Sequence, residues 1–342
     1  MQLHDRIEIL IEVGKVWKSN LLNPTFDDLL LRVENENPWF VPRFARQSVE
    51  LAISNYLDAD ALWKWAGKVR EKPFQQGTVA LVPAGNIPLV GLHDLLSVFV
   101  TGHKAQIKLS GKDKTLMTYF IDTMMGIEPK TADMIAVLDR LANFDAVIAT
   151  GSNNTNRYFE RYFSKYPSIL RKNRTSVAVL PLHMDEKHGH LLADDIFTYF
   201  GLGCRNVTKL FVPSGFDLTS VLPYMEPYAW IGHHNKYHNN YMYQKSVFLI
   251  NGVSHFDTGF ALFHESEELN SPIGVVNFSY YKALDELEAL LEQSWDGIQV
   301  VSTPCNLHVP TRIEMGNTQC PGLLDYPDGK DTLAFLASWA RG

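Results

Sequence analysis

The chain is poor in the features that would staple, tether or repeat it. It has three cysteines, Cys204, Cys305 and Cys320. Three cannot all pair, and they are too few to brace 342 residues, so a reducing compartment is expected. It lacks a basic excess: 31 Lys and Arg face 38 Asp and Glu, a net charge of −7. That balance argues against sequence-independent nucleic-acid binding, which needs a basic face, but leaves room for an anionic small ligand in a locally positive pocket. It lacks a long hydrophobic run. The most apolar stretch, IPLVGLHDLLSVFV, is interrupted by His93 and Asp94, short of the roughly 18–20 apolar residues that cross a bilayer. The opening MQLHDRIEILIEVGKVW carries Asp5, Glu8 and Glu12 among its apolar positions, the pattern of an amphipathic helix rather than a signal peptide. There is no internal repeat, no low-complexity linker and no CXXC pair, so a zinc site is not expected. A soluble, cytoplasmic protein without a metal is the expectation. What is plentiful is apolar sequence: 46% hydrophobic residues against 20% charged, enough for a large core. At roughly 150 residues per domain, two domains are expected.

Residues 1–75 read as helices broken by turns at Asn23-Pro24-Thr25 and in NENPWFVPRF (34–44), where Pro38 and Pro42 push their predecessors out of helical geometry. From residue 77 short apolar runs alternate with helical patterns. GTVALVPAGN, KAQIKLSG (104–111), MIAVL (134–138), DAVIATGS (145–152), TSVAVLP (175–181) and TKLFVP (208–213) read as strands. Helices are expected at 88–100, 115–125, 154–165, 191–199 and 217–228. Beyond 229, KSVFLIN (245–251), IGVVNFS (273–279) and IQVVSTP (298–304) read as strands and 281–294 as an amphipathic helix. Strands spaced by helices of this length predict a doubly wound α/β architecture with mostly parallel sheets. The polar break MDEKHGH places the domain boundary near 180–190.

Three loops carry reactive or anion-binding residue types: PAGNIP (83–88), ATGSNNT (149–155) and GLGCRN (201–206). Ligands of open α/β sheets bind beyond strand carboxyl ends. Cys204 is either a nucleophile, since thiolates are the strongest available near neutral pH, or a small buried hydrophobe. Gly151 and Ser152 suit an anion at a helix start or form an ordinary capped turn. Lys108 either reaches a ribose or phosphate or is a solvated strand-end lysine. His234 and His238 would share a helical face, but without an acidic neighbour the segment 233–244 reads better as a polar aromatic stretch near a substrate entrance than as a metal site.

The order of these motifs resembles that of the aldehyde dehydrogenase superfamily. Asn86-Ile87-Pro88 precedes an apolar helix, GHKAQIK supplies Gly102 and Lys108, and Thr150-Gly151-Ser152 ends a strand. GLGCRNVTKLFV supplies the cysteine before a strand, and SEELNSP supplies Glu268 and Pro272. Within the superfamily, Gly85-Asn86-Ile87-Pro88 and Arg205-Asn206-Val207-Thr208 make the chain most similar to the long-chain acyl-CoA reductases of bacterial bioluminescence. The resemblance implies two doubly wound α/β domains with a shortened N-terminus. Residues 1–76 would be a helical region packed on the cofactor domain and 77–182 the NADP-binding domain. Residues 183–300 would form the catalytic domain, with 301–342 returning to the cofactor domain.

It also implies a chemistry: NADPH-dependent reduction of a fatty acyl-CoA to the aldehyde through an acyl-cysteine. Cys204 would be the nucleophile, with Asn86 and the Cys204 N–H holding the oxyanion. Lys108, Ser110, Lys112, Gly151, Ser152 and Glu268 would bind the cofactor, Lys108 at the adenosine ribose and Glu268 at the nicotinamide ribose. Relatives that prefer NAD carry a glutamate three residues after the lysine; here Gly111 and Lys112 stand instead, which favours NADPH. Oxidising relatives also place a water-activating glutamate where this chain has Arg171-Lys172-Asn173-Arg174. That basic run reads either as a solvated face or as a contact for the phosphates of CoA or NADP. A synthetase or carrier protein as acyl donor and a homodimer are further implications. The alternatives are an oxidative NAD-dependent aldehyde or semialdehyde dehydrogenase and a non-catalytic acyl carrier or scaffold.

Overall fold

The computed structural model describes residues 1–69 and 76–339. Residues 70–75, within the stretch read as helical, and the last three of the 301–342 segment lie outside the described residues. The chain divides into two units, Met1–Asn173 with Pro321–Gly342, and Arg174–Cys320.

The first unit opens with four helices: α1 (Leu3–Asn20), α2 (Pro24–Glu36), α3 (Pro42–Leu51) and α4 (Ala59–Ala66), with a wider turn at Ala52–Tyr56 between the last two. Asn23 caps α2 by accepting from the Thr25 N–H, and Pro24 occupies its first position, where a missing N–H costs nothing. There follow β1 (Thr78–Val82), α5 (Leu92–Thr101), β2 (Lys104–Ile107), α6 (Thr115–Ile127), β3 (Ile135–Val137), β4 (Ala146–Thr150), α7 (Asn153–Phe163) and β5 (Ser168–Arg171). The strands form an all-parallel sheet in the order β3-β2-β1-β4-β5. Such strands are covered on both faces, which is why β1 and β4 read as unbroken apolar runs. The N-terminal helices belong to this unit's core: Ile7, Leu10 and Trp17 are fully buried, and the buried Arg6 donates to the Val100 carbonyl at the end of α5.

The second unit contains β6 (Thr175–Val179), α8 (Glu186–Phe197), β7 (Val207–Pro213), α9 (Asn235–Ile250), β8 (Phe256–Asp257), β9 (Leu262–Glu265), β10 (Val275–Tyr281), α10 (Leu284–Gln293), β11 (Ile298–Ser302) and β12 (Arg312–Ile313). Its seven strands run in the order β12-β11-β6-β7-β10-β9-β8, parallel except for the β8–β9 pair. Helix α11 (Thr332–Trp339) returns to the first unit, where the carbonyls of Leu323 and Leu336 meet the rings of His93 and His103.

Several expectations shift. Because β6 lies in the second sheet, the division falls at 173/174 instead of 182/183. MDEKHGH is the solvated start of α8, which Asp185 caps. Strands β11 and β12 stay in the second unit, so the return begins at Pro321, not at 301. KSVFLIN is the end of helix α9 rather than a strand; its Leu249 and Ile250 face solvent, and the short apolar run carried no period to tell the two apart. The helix expected at 217–228 is a short 3₁₀ turn, Leu218–Ser220, followed by a longer 3₁₀ stretch, Leu222–His233, with Pro227 inside it. Among the described residues no helix is long and apolar enough to cross a membrane.

Candidate active site

The loop bearing Cys204 is held in one conformation at a measurable cost. After α8 ends at Phe197, Tyr199, Phe200 and Gly201 all take left-handed backbone angles, with φ of 54°, 58° and 74°. Two of the three have side chains, at about 1–2 kcal/mol each. Their rings are buried, and Phe200 packs against Trp230, His234 and Tyr237 at centroid distances of 5.9, 4.5 and 5.9 Å. The fully buried Asn206 supplies the polar restraint. Its Oδ1 accepts from the Gly203 N–H at 2.8 Å. Its Nδ2 donates to the carbonyls of Asp195, Ile196 and Thr198 at 3.2, 3.2 and 2.8 Å. Gly203 O accepts from Asn206 N at 3.0 Å, closing a turn with Cys204 and Arg205 at its corners. Cys204 is half-buried and in no disulfide, and its carbonyl accepts from Ser176 Oγ at 3.1 Å. Strain concentrated beside a nucleophile-type residue is a marker of function.

The turn is braced from below by Asp195. Its carboxylate accepts from Ser302 Oγ, Gly316 N, Thr318 N and Thr318 Oγ1, while burial pushes its pKa up against those bonds. Arg205 Nε donates to the Thr318 carbonyl. The loop enters β7 from its amino end, between α8 and the strand; it does not follow a strand, as the other two motif loops do. The strained turn around Cys204 and the brace from Asp195 had no signal in the sequence. His234 caps α9 by accepting from the Tyr237 N–H, and His238 Nδ1 pairs with the Gly232 carbonyl. The histidine segment therefore supports the packing around Phe200.

In the first unit, the loops after β1, β2 and β4 share the carboxyl edge of the sheet. Since β1 leads to β2 on one side and has β4 on the other, the chain reverses direction between β1 and β4, the place where open α/β sheets bind ligands. Here stand Asn86, Lys108, Ser110, Lys112, Gly151 and Ser152. Gly85 lets the Asn86 turn press onto the β2 loop: a Cβ there would lie 2.2 Å from Ser110 Oγ and 3.1 Å from Lys112 Cβ. Asn86, Lys108 and Lys112 are exposed. A Cβ on Gly111 would meet nothing within 4 Å, so packing does not require glycine there. Ser152 caps α7, its Oγ accepting from Thr155 N at 3.3 Å. In the first turns of that helix the buried Asn156 has neither side-chain polar atom in a protein hydrogen bond. An open, lysine-bearing edge with an unsatisfied amide fits a dinucleotide.

The basic run is another correction. Arg171 is buried, paired with Asp94 and bonded to Thr332 Oγ1, and Arg174 donates to the Ile298 carbonyl. Only Lys172 is exposed, 3.2 Å from Glu160. Two of the three cations are thus committed to the fold; neither is on an open phosphate-binding face.

Asp113 lies buried under the Asn86 turn. Its carboxylate accepts from the backbone N–H groups of Leu89 and Val90, and Leu89 is itself left-handed at φ 59°. Oδ1 has no hydrogen-bond partner. Burial pushes the pKa up to about 8, with Glu36 adding to the rise and the two N–H groups opposing it. The folded chain therefore keeps a proton that the unfolded chain releases between about pH 4 and pH 8, so stability falls as pH rises through that window. Asp113→Asn, which mimics the protonated acid, is expected to melt progressively higher than wild type from pH 5 to pH 8. The gap should grow by no more than about 1.4 kcal/mol per pH unit. Parallel melting curves at pH 5, 6.5 and 8 would show that Asp113 does not titrate in this range.

In the second unit, Glu268 sits exposed on the crossing from β9 to β10. Cys305 and Cys320 are half-buried, with the Cys320 thiol pushed up by burial. Among the described residues no group of three or more His, Cys, Asp or Glu could hold a metal ion.

Comparison with known proteins bears on the fold and on the family. Aldehyde dehydrogenase 21 from Physcomitrella patens, solved with the reaction product succinate, is 13% identical with a TM-score of 0.68, over 92% of this chain and 78% of its own. The NADP-dependent glyceraldehyde-3-phosphate dehydrogenase from Bacillus halodurans C-125, solved with NADP, is 12% identical with a TM-score of 0.64, over 91% and 78%. A Mycobacterium tuberculosis aldehyde dehydrogenase, solved with NAD+, is 12% identical with a TM-score of 0.63, over 91% and 77%. At such identities these likenesses show the aldehyde dehydrogenase fold alone. No curated protein matches the sequence. The sequence model of the acyl-CoA reductase (LuxC) family matches residues 2–220, a span that holds every residue expected to act in catalysis or cofactor binding except Glu268. With more than half of its length so matched, the chain belongs to the acyl-CoA reductase (LuxC) family.

Proposed function

We propose that the protein reduces long-chain fatty acyl-CoA thioesters to aldehydes with NADPH, through an acyl-cysteine on Cys204. The observation that carries this reading is the Cys204 turn, strained at Tyr199 and Phe200 and held by all four hydrogen bonds of the Asn206 amide. The Cys204 thiolate attacks the thioester carbonyl. The Asn86 side chain and the Cys204 N–H hold the oxyanion, each worth roughly 3–4 kcal/mol in comparable sites. The C–S bond to coenzyme A then breaks, and CoA leaves as the thiolate. NADPH, when bound, supplies the hydride that reduces the acyl group. Collapse of the resulting thiohemiacetal releases the aldehyde and restores Cys204. Lys108 binds the adenosine ribose, Ser110 and Lys112 add to the cofactor site, Gly151 and Ser152 shape it, and Glu268 orients the nicotinamide ribose. The acyl donor is free acyl-CoA or a synthetase or carrier protein bearing the same thioester.

The absence of a carboxylate in the stretch 171–174 supports acyl exchange with CoA over hydrolysis. The test is an NADPH-oxidation screen across acyl-CoAs from short to long, with intact-mass detection of the acyl adduct. Aldehyde formation that increases with chain length is expected. Faster oxidation of aldehydes with NAD+ would overturn the reading in favour of a dehydrogenase, and an adduct without NADPH oxidation would favour an acyl carrier.

Cofactor choice is separately testable. The exposed Lys112 and the open space at Gly111 favour a 2′-phosphate. Gly111→Glu introduces a carboxylate without a clash. It is expected to lower the NADPH-over-NADH ratio of kcat/KM by about tenfold or more, which is about 1.4 kcal/mol. An unchanged ratio would remove Gly111 from cofactor selection.

A further inference from the structure

The crossing from β9 to β10 is unusual. The two strands are parallel neighbours, and such a connection ordinarily takes about a dozen residues or more, folded as a helix that satisfies its own backbone. Here residues 266–274 return without a helix, so their carbonyls need other partners. Three side chains from the adjoining strands provide them. Lys209 on β7, fully buried, donates to the Ser266 carbonyl. Thr208 donates to the Leu269 carbonyl at 2.7 Å. Asn277 on β10, also buried, donates through Nδ2 to the carbonyls of Glu268 at 2.9 Å and Asn270 at 3.1 Å. Glu268 N in turn donates to Ser266 Oγ at 3.2 Å. Burying an ammonium group is costly. Its pKa drops to about 8, chiefly through desolvation, and it lies 5.2 Å from the Phe211 ring centre. The fold accepts that cost at the segment that presents Glu268 to solvent.

We infer that Lys209, Thr208 and Asn277 are positioning residues that hold Glu268 for the reduction step. The inference rests on the role proposed above for Glu268. A group that only stabilised the fold would affect both half-reactions together. A group that aims Glu268 would affect reduction and spare acylation, because acylation of Cys204 needs no nicotinamide.

The experiment measures the two half-reactions separately. Acylation is followed as CoA release and adduct mass without NADPH, and reduction as kcat and KM for NADPH. Lys209→Met and Asn277→Leu are each expected to raise KM for NADPH or lower kcat by about tenfold or more, with the acylation rate within about twofold of wild type. Glu268→Gln should show the same pattern, and Lys209→Met combined with Glu268→Gln should be no worse than Glu268→Gln alone. Lys209→Arg, which keeps a cationic donor, should recover most of the loss; together with Asn277→Leu it keeps the test decisive if Lys209→Met does not fold. If Glu268→Gln reduces normally, the role of Glu268 falls and the inference with it. If Glu268→Gln is impaired while Lys209→Met and Asn277→Leu are not, or both half-reactions fall in step, or the effects add, the positioning role alone is overturned.

Discussion

Replacing Cys204 by alanine is expected to leave a folded protein that forms no acyl adduct and no longer oxidises NADPH. The side chain is half-buried at the corner of a turn fixed by its neighbours and makes no disulfide. Losing one sulfur atom there should move the melting temperature by only a few degrees, the scale of about 1 kcal/mol. The chemical loss should be far larger. Without the thiolate no bond can form to the acyl carbon, and removal of a covalent nucleophile costs about 10⁴-fold or more in turnover. Cys305→Ala and Cys320→Ala are the controls. Both thiols are half-buried, and burial holds the Cys320 thiol toward its inert protonated form. Both variants should retain the adduct and turnover. Intact mass after mixing with an acyl-CoA, followed by NADPH oxidation, decides the matter. An adduct that persists in Cys204→Ala, or turnover that disappears in Cys305→Ala instead, would move the nucleophile elsewhere.

The sequence could be read well where the physics is local. The first sheet was legible because β1 and β4 are buried on both faces, β2 alternates buried with more open positions, and all three end in turn residues, so each strand and its loop stood out as pattern and punctuation. Asn86, Lys108 and Ser152 could therefore be assigned to one edge. Where structure depends on distant partners, the reading failed. Arg171 and Lys172 look alike in sequence, yet one is buried against Asp94 and the other is exposed beside Glu160; nothing in a run of charges names a partner 77 positions away. Tyr199 and Phe200 gave no sign of left-handed backbone, because aromatic residues do not ordinarily adopt it and only the packing around Phe200 and the Asn206 bonds enforce it. Asn277 and Lys209 were invisible for a related reason: their role is to satisfy carbonyls of a crossing that itself had no regular pattern.

Asn206 gives the sharpest test of whether that enforced turn matters for chemistry. Asn206→Ala would leave the Gly203 N–H and the carbonyls of Asp195, Ile196 and Thr198 without their side-chain partner in a buried place. At roughly 1 kcal/mol or more for each of the four groups left unsatisfied, a loss of about 4 kcal/mol or more is expected, read as a lower melting temperature. The acylation rate should fall further than stability alone explains. Even well below the variant's melting temperature, a misplaced nucleophile should cost about 10²-fold. Asn206→Asp separates the two halves of the amide. Its carboxylate can still accept from Gly203 N, but it turns a second oxygen toward three carbonyls, so it should be worse than Asn206→Ala at pH 8. It should recover in part at lower pH, where a protonated acid can donate to one of them. Normal acylation by folded Asn206→Ala would mean that Cys204 needs no enforced turn. The strain at Tyr199 and Phe200 would then belong to the packing of α8 against the aromatic cluster rather than to catalysis.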